Sequence, residues 1–245
     1  MQNVLVFKSQ SEIKNPNGFK VLIALSMLYM SILICNAVLT NRYIGVDSFF
    51  LLGGAFLSPF IFILDDIIAE VYGYKIARWL ILIGFCSLTL FALACQVIAY
   101  APHPSFFKEG AGYKYILGAP LLRIDLSGFI AYITANLLNS YILTRWKILL
   151  KGRKFWLRSV GSSAFSEAFY SLVTILMIEI NSISLKNIFS IILVSYLIKA
   201  LFSIIFAKPS ELLVNYIKKC TGIDVYDFPK KFTPFEYLNS KIRGS

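Results

Sequence analysis

A short stretch of the chain places three carboxylates and two cations on either side of a Tyr-Gly-Tyr turn. Asp65, Asp66 and Glu70 precede the turn at the end of an apolar run, and Lys75 and Arg78 follow it. Carboxylates inside membrane helices are costly and usually face a protein interior or a water-filled path. Asp66 and Glu70 are four residues apart, so they share one helix face, whereas Asp65 points elsewhere. We expect Asp66, Glu70 and Arg78 to act in gating or ion coupling; the structural alternative is an anchoring cluster in which the carboxylates pair with Lys75 and Arg78.

Two later apolar segments each carry a pair of polar residues. Asn136 and Asn139 are three residues apart, as are Glu167 and Tyr170, so each pair lies on one helix face. We expect these two faces to meet. Asn and Ser residues, including Ser163, also join helices in lipid without any other role. A carboxylate in the middle of a span is expensive, so Glu167 is the leading candidate for ligand contact, with the other four residues beside it.

Lys199 lies near the middle of the last long apolar run. A lysine can reach the membrane surface along its own stem, but with long apolar stretches on both sides we expect it to pair with a carboxylate. Glu167, Asp125 and Glu179 are the candidate partners. Asn36 adds a polar group to the first apolar run, and we expect it and Lys199 to join the ligand site.

Arg123 and Asp125 stand at the start of the fourth apolar segment. They fit an interfacial ion pair that caps the helix or the entrance to a central cavity, which adds them to the gating set. A single histidine and cysteines without C-x-x-C spacing argue against a metal site, and we expect no cofactor.

The composition indicates an integral membrane protein. Of 245 residues, 58% are hydrophobic and 15% are charged, whereas a soluble domain has about 25% charged residues. Only helices and closed barrels satisfy their backbone polar groups in lipid, and continuous apolar runs favour helices. The net charge of +11 is typical of basic cytoplasmic loops, so we do not expect nucleic acid as a partner.

Six membrane spans are predicted, which makes the fold class an all-α integral membrane protein. The predicted spans are Phe19–Leu39, Phe49–Ile68, Ile76–Tyr100, Ile124–Thr144, Val160–Ile180 and Ile188–Ala207. Lys and Arg residues concentrate in the N-terminal tail, the 75–78 turn, the 145–158 loop and the C-terminal tail. By the positive-inside rule, both termini are cytoplasmic.

Three regions follow from this layout: a cytoplasmic N-terminal tail (1–18), a transmembrane domain (19–207) and a cytoplasmic C-terminal region (208–245). The C-terminal region is expected to begin with a short amphipathic helix over 209–219 that lies on the membrane surface. Its apolar face would hold Leu212, Leu213, Tyr216 and Ile217. The Pro- and Gly-rich segment between the third and fourth spans is expected to be a loop that covers the membrane surface.

The stretch around the glycine turn resembles a known family signature. Residues 66–78, Asp-Ile-Ile-Ala-Glu-Val-Tyr-Gly-Tyr-Lys-Ile-Ala-Arg, are similar to the second-helix motif of the queuosine precursor transporter family, also named the putative vitamin uptake transporter family. Weaker similarity occurs at Asn36, at 156–163 and at Lys199 followed by Pro209.

The fourth and fifth helices depart from the family pattern of Ser-Gln with an Asp three residues later. This chain has Ala135-Asn136 with Asn139, and Ser166-Glu167 with Tyr170. The resemblance therefore implies a cavity in the same place with altered chemistry.

The resemblance implies a multi-pass transporter of the bacterial inner membrane, not an enzyme, that imports a queuosine precursor or a related 7-deazaguanine or purine-like base. A carboxylate such as Glu167 would accept the two adjacent N–H groups of a guanine-like edge, while Asn136 and Asn139 offer donors and acceptors. The expected partners are this small-molecule substrate, the lipid bilayer and a second copy of the chain as a homodimer.

Two alternatives remain open. One is a substrate-binding membrane subunit for another vitamin that works with a separate ATPase, because the chain carries no G-x-x-x-x-G-K-[ST] motif of its own. The other is a membrane-embedded enzyme that modifies lipids, which the lack of G-x-S-x-G and H-E-x-x-H motifs disfavours.

Overall fold

The computed structural model describes residues 16–46, 49–179 and 183–226, which form a helical bundle with one small β-hairpin. The predicted tails before residue 16 and after residue 226 lie outside the described residues. In chain order the elements are α1 (Pro16–Leu39), β1 (Tyr43–Val46), β2 (Phe49–Leu52), a 3₁₀ turn (Gly53–Phe56), α2 (Ser58–Tyr72), α3 (Tyr74–Ala99), α4 (Gly110–Leu117), α5 (Ala119–Leu149), α6 (Phe155–Glu179) and α7 (Leu185–Thr221).

Within the described residues, five stretches of helix are long and apolar enough to cross a membrane: α1, α3, α4 together with α5, α6 and α7. Their outer faces expose large apolar side chains such as Met27, Leu90 and Val97, each at least two-thirds exposed. A soluble monomer rarely exposes contiguous apolar surface of this extent. The protein is therefore a multi-pass, mainly helical membrane protein, as the composition predicts.

The long helices bury one stripe each. In α1 the stripe is Leu25, Tyr29, Leu33 and Asn36, at the spacing of three or four residues that places side chains on one helix face. In α7 a similar stripe contains Lys199 and runs the length of the helix. Polar residues therefore collect along the stripes that face the bundle, while the opposite faces stay apolar.

The central element is α2, which has only 15 residues. Every residue except Phe60 and Ile63 is buried, because helices surround α2 on several sides. The predicted second span, Phe49–Ile68, is wrong in its first half: residues 49–52 form strand β2, which pairs with β1 in antiparallel register from Tyr43↔Leu52 to Val46↔Phe49. Helix α2 begins only at Ser58.

Two adjacent glycines explain this break. Gly53 and Gly54 form the 3₁₀ turn that follows the hairpin and packs against α1. A Cβ atom on Gly54 would collide with the Thr40 hydroxyl and would lie 2.9 Å from Asn36 Oδ1. Only a glycine permits the backbone to approach α1 so closely.

The reversal between α2 and α3 takes a single residue, Gly73, with φ 90° and ψ 163°. This backbone conformation is open essentially only to glycine. The amide of Gly73 closes the last turn of α2 on Ala69 O at 3.1 Å. The tight turn predicted from the Tyr-Gly-Tyr sequence is confirmed.

The bundle has two distinct ends. At the basic end, where α1 begins and α7 terminates, Tyr72 Oη donates to Gly18 O at 2.8 Å and Val225 N donates to Val71 O at 3.1 Å. At the hairpin end, Asn41 Nδ2 donates to Ile116 O at 2.9 Å and so joins the end of α1 to α4. Helix α4 lies within the segment that the sequence predicts to be a loop.

The predicted separate C-terminal helix is instead the last part of α7, which continues through Pro209 to Thr221. Proline is tolerated in helices of membrane proteins, and the helix continues past Pro209 with Ser210 Oγ donating to Phe206 O at 2.7 Å. Leu212 and Tyr216 are exposed, whereas Ile217 is buried, so the predicted apolar face is divided.

Candidate functional site

All three carboxylates of α2 point into protein. Asp65, Asp66 and Glu70 are 0%, 1% and 1% exposed. Buried charges are stable only when they are paired or fully hydrogen-bonded. The residues that surround each carboxylate therefore define its role.

Glu70 is held by cations from three other helix regions. Arg158 of α6 binds it in a bidentate manner, with Nη1 at 2.7 Å from Oε2 and Nη2 at 3.1 Å from Oε1. Lys218 of α7 lies 2.6 Å from Oε1, and Lys147 of α5 lies 3.6 Å away. Paired, planar contacts of this kind are among the strongest charged hydrogen bonds.

A C-terminal segment completes this arrangement. Lys147 Nζ donates to Asp224 Oδ1 at 2.6 Å and to Val225 O at 2.8 Å, and Lys218 lies 2.9 Å from Asp224. We call Glu70, Lys147, Arg158, Lys218 and Asp224 the basic-end cluster. Its three cations face two carboxylates, and it ties α2, α5, α6 and α7 together at the basic end.

Tyr226 borders the basic-end cluster beyond the end of α7. Its ring centroid lies 4.4 Å from Lys147 Nζ, a cation–π distance. Burial raises the pKa of the Tyr226 phenol, and the Asp224 carboxylate adds to this effect. Tyr226 therefore stays neutral and adds no charge to the cluster.

Asp66 is surrounded by neutral donors. Asn139 Nδ2 of α5 lies 2.5 Å from Oδ1, and the hydroxyls of Ser159 and Ser163 of α6 donate to Oδ2, Ser163 at 3.4 Å. Polar residues of the predicted fourth and fifth spans thus meet at Asp66 of α2, and α5 also packs directly on α6 through the rings of Tyr132 and Tyr170, whose centroids are 5.9 Å apart. Three donors are enough to stabilise an ionised carboxylate.

Asp65 lies against the other side of the bundle interior. Asn136 Nδ2 of α5 donates to its Oδ2, and the hydroxyls of Tyr29 and Tyr132 lie beside it while hydrogen-bonding each other. The sequence analysis left Asp65 out of the site because it sits off the face shared by Asp66 and Glu70. On a helix buried on every side, that reasoning does not hold.

Lys199 and Glu167 form a second buried polar group. Lys199 Nζ donates to Ser171 Oγ at 2.8 Å and lies 4.6 Å from the ring centroid of Tyr170. Glu167 Oε1 accepts from Ser203 Oγ at 3.1 Å, and its Oε2 is buried with no partner in the described residues. Of the three predicted partners of Lys199, Glu167 is the one that attracts it, although the two make no ion pair in the described part of the chain.

These residues border a small central cavity between α1, the 3₁₀ turn, α2, α6 and α7. Its lining includes Asn36, Thr40, Leu52, Gly54, Ser58, Tyr170, Ser171, Thr174, Ser195 and Lys199. The space is about 30 Å³, room for about two water molecules. Small-molecule sites measure about 300–1,000 Å³, so the cavity is too small for such a ligand in this conformation.

A larger vestibule opens at the hairpin end. It measures about 330 Å³ and its lining includes Arg123 and Glu179, along with Thr40 and Leu52. Thr40 and Leu52 also line the central cavity, so these two residues separate the two spaces. Glu179 accepts from Tyr43 Oη at 2.7 Å, which fastens the hairpin to α6 and occupies one predicted partner of Lys199.

The predicted ion pair between Arg123 and Asp125 is not present among the described residues. Arg123 is exposed in the vestibule, where Nη2 lies 3.4 Å from Met177 O, and Asp125 is buried against Thr89 of α3. The two residues are only two positions apart on a helix, so their side chains diverge. Arg78 lies 5.9 Å from the Tyr74 ring and is not part of the basic-end cluster.

The structure thus places the predicted binding residues in two groups. Asn36, Tyr170 and Lys199 line the central cavity, with Glu167 one helical turn from Ser171. Asn136, Asn139 and Ser163 instead hydrogen-bond the aspartates of α2. No group of three metal-ligating side chains occurs in the described ranges.

Sequence reasoning left several residues out of the site: Tyr29, Asp65, Lys147, Ser159, Arg158 and Lys218. Lys147 and Arg158 were assigned to a solvated basic loop, but they are 1% and 0% exposed. Each of these two residues lies within about one turn of a helix end and next to apolar residues. This position is the feature of the sequence that indicates an inward-facing side chain.

Comparisons with known proteins agree with the resemblance seen in the sequence. Residues 52–213 match the family described as "Putative vitamin uptake transporter". The chain is 24% identical over 205 residues to the "Queuosine precursor transporter" of Escherichia coli (strain K12), an alignment that covers 82% of this chain and 90% of that protein. It is 30% identical over 115 residues to the "Probable queuosine precursor transporter" of Bacillus subtilis (strain 168), covering 46% and 49%. No solved structure matches the chain significantly.

Proposed function

Because this chain belongs to the Putative vitamin uptake transporter family, we propose that it imports a queuosine precursor or a related 7-deazaguanine across the bacterial inner membrane. The names of the two relatives support this substrate class. The transmembrane core would consist of six passes, with α2 and the hairpin together making the second. The basic end faces the cytoplasm, because membrane proteins keep their Lys- and Arg-rich loops on that side.

The observation that carries the proposal is a buried cation that has unused donors in the described residues and lines a small cavity. Lys199 has three N–H donors, and Ser171 accepts one of them. Around the same cavity, Ser58 Oγ and Ser195 Oγ are buried without a hydrogen-bond partner in the described residues. Buried polar groups without partners are destabilising, so this cavity suits a polar ligand.

A flat purine-like base fits these groups. Lys199 would donate to the ring carbonyl, and the Tyr170 ring would cover one face of the base. Glu167, whose Oε2 is free of hydrogen bonds in the described residues, would accept the adjacent N–H groups of the guanine edge once the cavity widens. Asn136, Asn139 and Ser163 would act on the ligand indirectly, by holding the α2 carboxylates.

Import requires the cavity to open to each side in turn. The vestibule offers the entrance at the hairpin end, with Arg123 and Glu179 at its wall. For the substrate to leave on the cytoplasmic side, the residues of the basic-end cluster must separate. The gating role predicted for Glu70 would then depend on its hydrogen bonds with Arg158 and Lys218. Asp66 would contribute by keeping α6 docked on α2.

The test is uptake in cells that can neither make nor import queuosine precursors. Expression of the chain should restore queuosine in tRNA when labelled 7-cyano-7-deazaguanine is supplied. The Lys199→Met variant should bind about 10- to 100-fold more weakly, since a hydrogen bond to a charged group contributes about 1.5–3 kcal/mol.

Lys208→Met is the matched control. Lys208 lies on the same helix, and its side chain is 67% exposed in a surface pair with Glu211, so this variant should transport normally. Restoration by Lys199→Met at the level of Lys208→Met would remove Lys199 from the site. No restoration by the parent chain would overturn the substrate class.

A further inference from the structure

The buried carboxyl group of Asp65 is short of hydrogen-bond donors. Asp65 is 0% exposed, and its Oδ2 accepts from Asn136 Nδ2. Its Oδ1 is buried and has no partner in the described residues. An ionised carboxylate has about four acceptor positions to fill, and the donors around Asp65, which are the Asn136 amide and the hydroxyls of Tyr29 and Tyr132, leave Oδ1 without a partner.

The side-chain amide of Asn136, which binds Asp65, also lacks a hydrogen-bond donor. Asn136 is also 0% exposed, and its Nδ2 is used on Asp65 while its Oδ1 is buried without a donor. Two acceptor oxygens, one on each side chain, are therefore left over where the two groups meet. A single proton on Asp65 Oδ1 would donate to Asn136 Oδ1 and close a ring of two hydrogen bonds between the acid and the amide.

No group in the described residues donates to Asp65 Oδ1. The hydroxyls of Tyr29 on α1 and Tyr132 on α5 hydrogen-bond each other, which uses one of their two protons, and both also interact with Asp65, but neither reaches Oδ1. The nearest charged group is Asp66 on α2 itself, a second acid that disfavours another negative charge. No ion pair reaches Asp65 within the residues that the structure describes.

The remaining charged groups act on Asp65 only indirectly. Glu167 on α6 faces Asp66, and Lys199 on α7 faces Glu167. The cations of the basic-end cluster bind Glu70, one turn further along α2. Asp65 therefore lies in a pocket of tyrosines and one amide, without a compensating positive charge.

Asp66 provides an internal comparison. It receives hydrogen bonds from Asn139, Ser159 and Ser163, so both of its oxygens are satisfied in the ionised form. The two aspartates are adjacent in sequence and equally buried, yet Asp65 Oδ1 lacks the donors that both oxygens of Asp66 have in the described residues.

We propose that Asp65, positioned by Asn136, is a proton-binding site that couples proton entry to transport. This inference rests on the proposed import function. Asp65 takes up a proton from the outer side when the hairpin end is open and releases it to the cytoplasm when the basic end opens. The proton moves down its gradient with the substrate, and Asp65 returns to its starting state after each cycle.

The decisive variant is Asp65→Asn in proteoliposomes, with labelled 7-cyano-7-deazaguanine as the probe. The new amide can accept from Asn136 Nδ2 and donate to Asn136 Oδ1, so it reproduces both hydrogen bonds of the protonated acid. We expect exchange of labelled for unlabelled probe to persist, because exchange requires no net proton movement. Accumulation driven by an imposed pH gradient should fall to simple equilibration.

Infrared spectroscopy of the full-length protein provides a readout independent of transport. The parent protein should show a carboxylic-acid C=O band that Asp65→Asn removes and that Asp66→Asn retains. A spectrum in which Asp65→Asn removes no such band overturns the proposal, as does unchanged pH-driven accumulation in that variant or accumulation that follows a sodium gradient instead. If the parent exchanges none of the probe, the proposed function fails, while the infrared result still decides whether Asp65 is protonated.

Discussion

Glu70 joins α2 to three cations, and replacing it tests whether the basic-end cluster closes that end of the bundle. In Glu70→Gln the side chain keeps its size and loses its charge. Lys147, Arg158 and Lys218 would then face only Asp224, which is 40% exposed. Two of the three stranded cations, Lys147 and Arg158, are almost fully buried, so their mutual repulsion is poorly screened.

The burial of these cations determines the free-energy cost of the Glu70→Gln substitution. Removing one partner of a buried ion pair costs about 3–5 kcal/mol, because the remaining charge stays buried. The glutamine can still accept one hydrogen bond, and Lys218 is 18% exposed, so the lower value of about 3 kcal/mol applies. Since about 1.4 kcal/mol is a tenfold change in an equilibrium constant, opening at the basic end should become about 100-fold more favourable.

Accessibility of Ser162 measures this opening. Ser162 is 0% exposed and lies one turn inward from Arg158 on α6. In a background without native cysteines, Ser162→Cys should react slowly with a bulky maleimide added from the cytoplasmic side. Adding Glu70→Gln should raise the reaction rate by a factor approaching 100.

Glu211→Gln is the matched control. It removes a carboxylate from the exposed pair with Lys208, and such surface pairs contribute about 0–1 kcal/mol, so the alkylation rate should not change. If Glu70→Gln fails to fold, Lys218→Met removes the most exposed of the three cations and should give a smaller increase. Alkylation as slow in folded Glu70→Gln as in the parent would refute the assignment of this cluster as a closure.

Two glycine substitutions test the fold around the site. Gly54→Ala adds a Cβ that collides with the Thr40 hydroxyl, so we expect uptake to fall sharply. Gly128→Ala is the control, because no atom lies within 4 Å of its new Cβ, and it should keep parental uptake. Gly73→Ala forces an alanine to φ 90° and should destabilise the protein by about 1–3 kcal/mol, seen as a lower melting temperature in detergent; an unchanged melting temperature would contradict the strained reversal between α2 and α3.

The location of the carboxylate motif could be predicted from sequence, but the partners of Glu70 could not. A carboxylate in an apolar run is costly to expose to lipid, so it is expected to face the protein interior. Asp66 and Glu70 are both buried in the protein, as expected. The sequence analysis considered partners from the adjoining turn, Lys75 and Arg78. The structure supplies Arg158 and Lys218, which are 88 and 148 residues away, and no local pattern encodes such distant contacts.

The β-hairpin was missed for a different reason. A short apolar run such as 49–57 has no periodicity that separates strand from helix, so the whole run from Phe49 was assigned to one span. The pair Gly53-Gly54 was the local signal of a break, since glycine weakens a helix interior by about 1 kcal/mol. The five other spans have uninterrupted apolar stretches, and all five correspond to helices.

The two ends of the central cavity are closed by different interactions, and this difference determines which end opens more easily. At the hairpin end Thr40 and Leu52 border both spaces, the hydrogen bond from Tyr43 Oη to Glu179 fastens the hairpin, and no salt bridge occurs there among the described residues. At the basic end, separation would expose Glu70 and its cations and would break several charged hydrogen bonds. Opening toward the vestibule would break fewer charged hydrogen bonds among the described residues, so we expect the hairpin end to open more readily than the basic end.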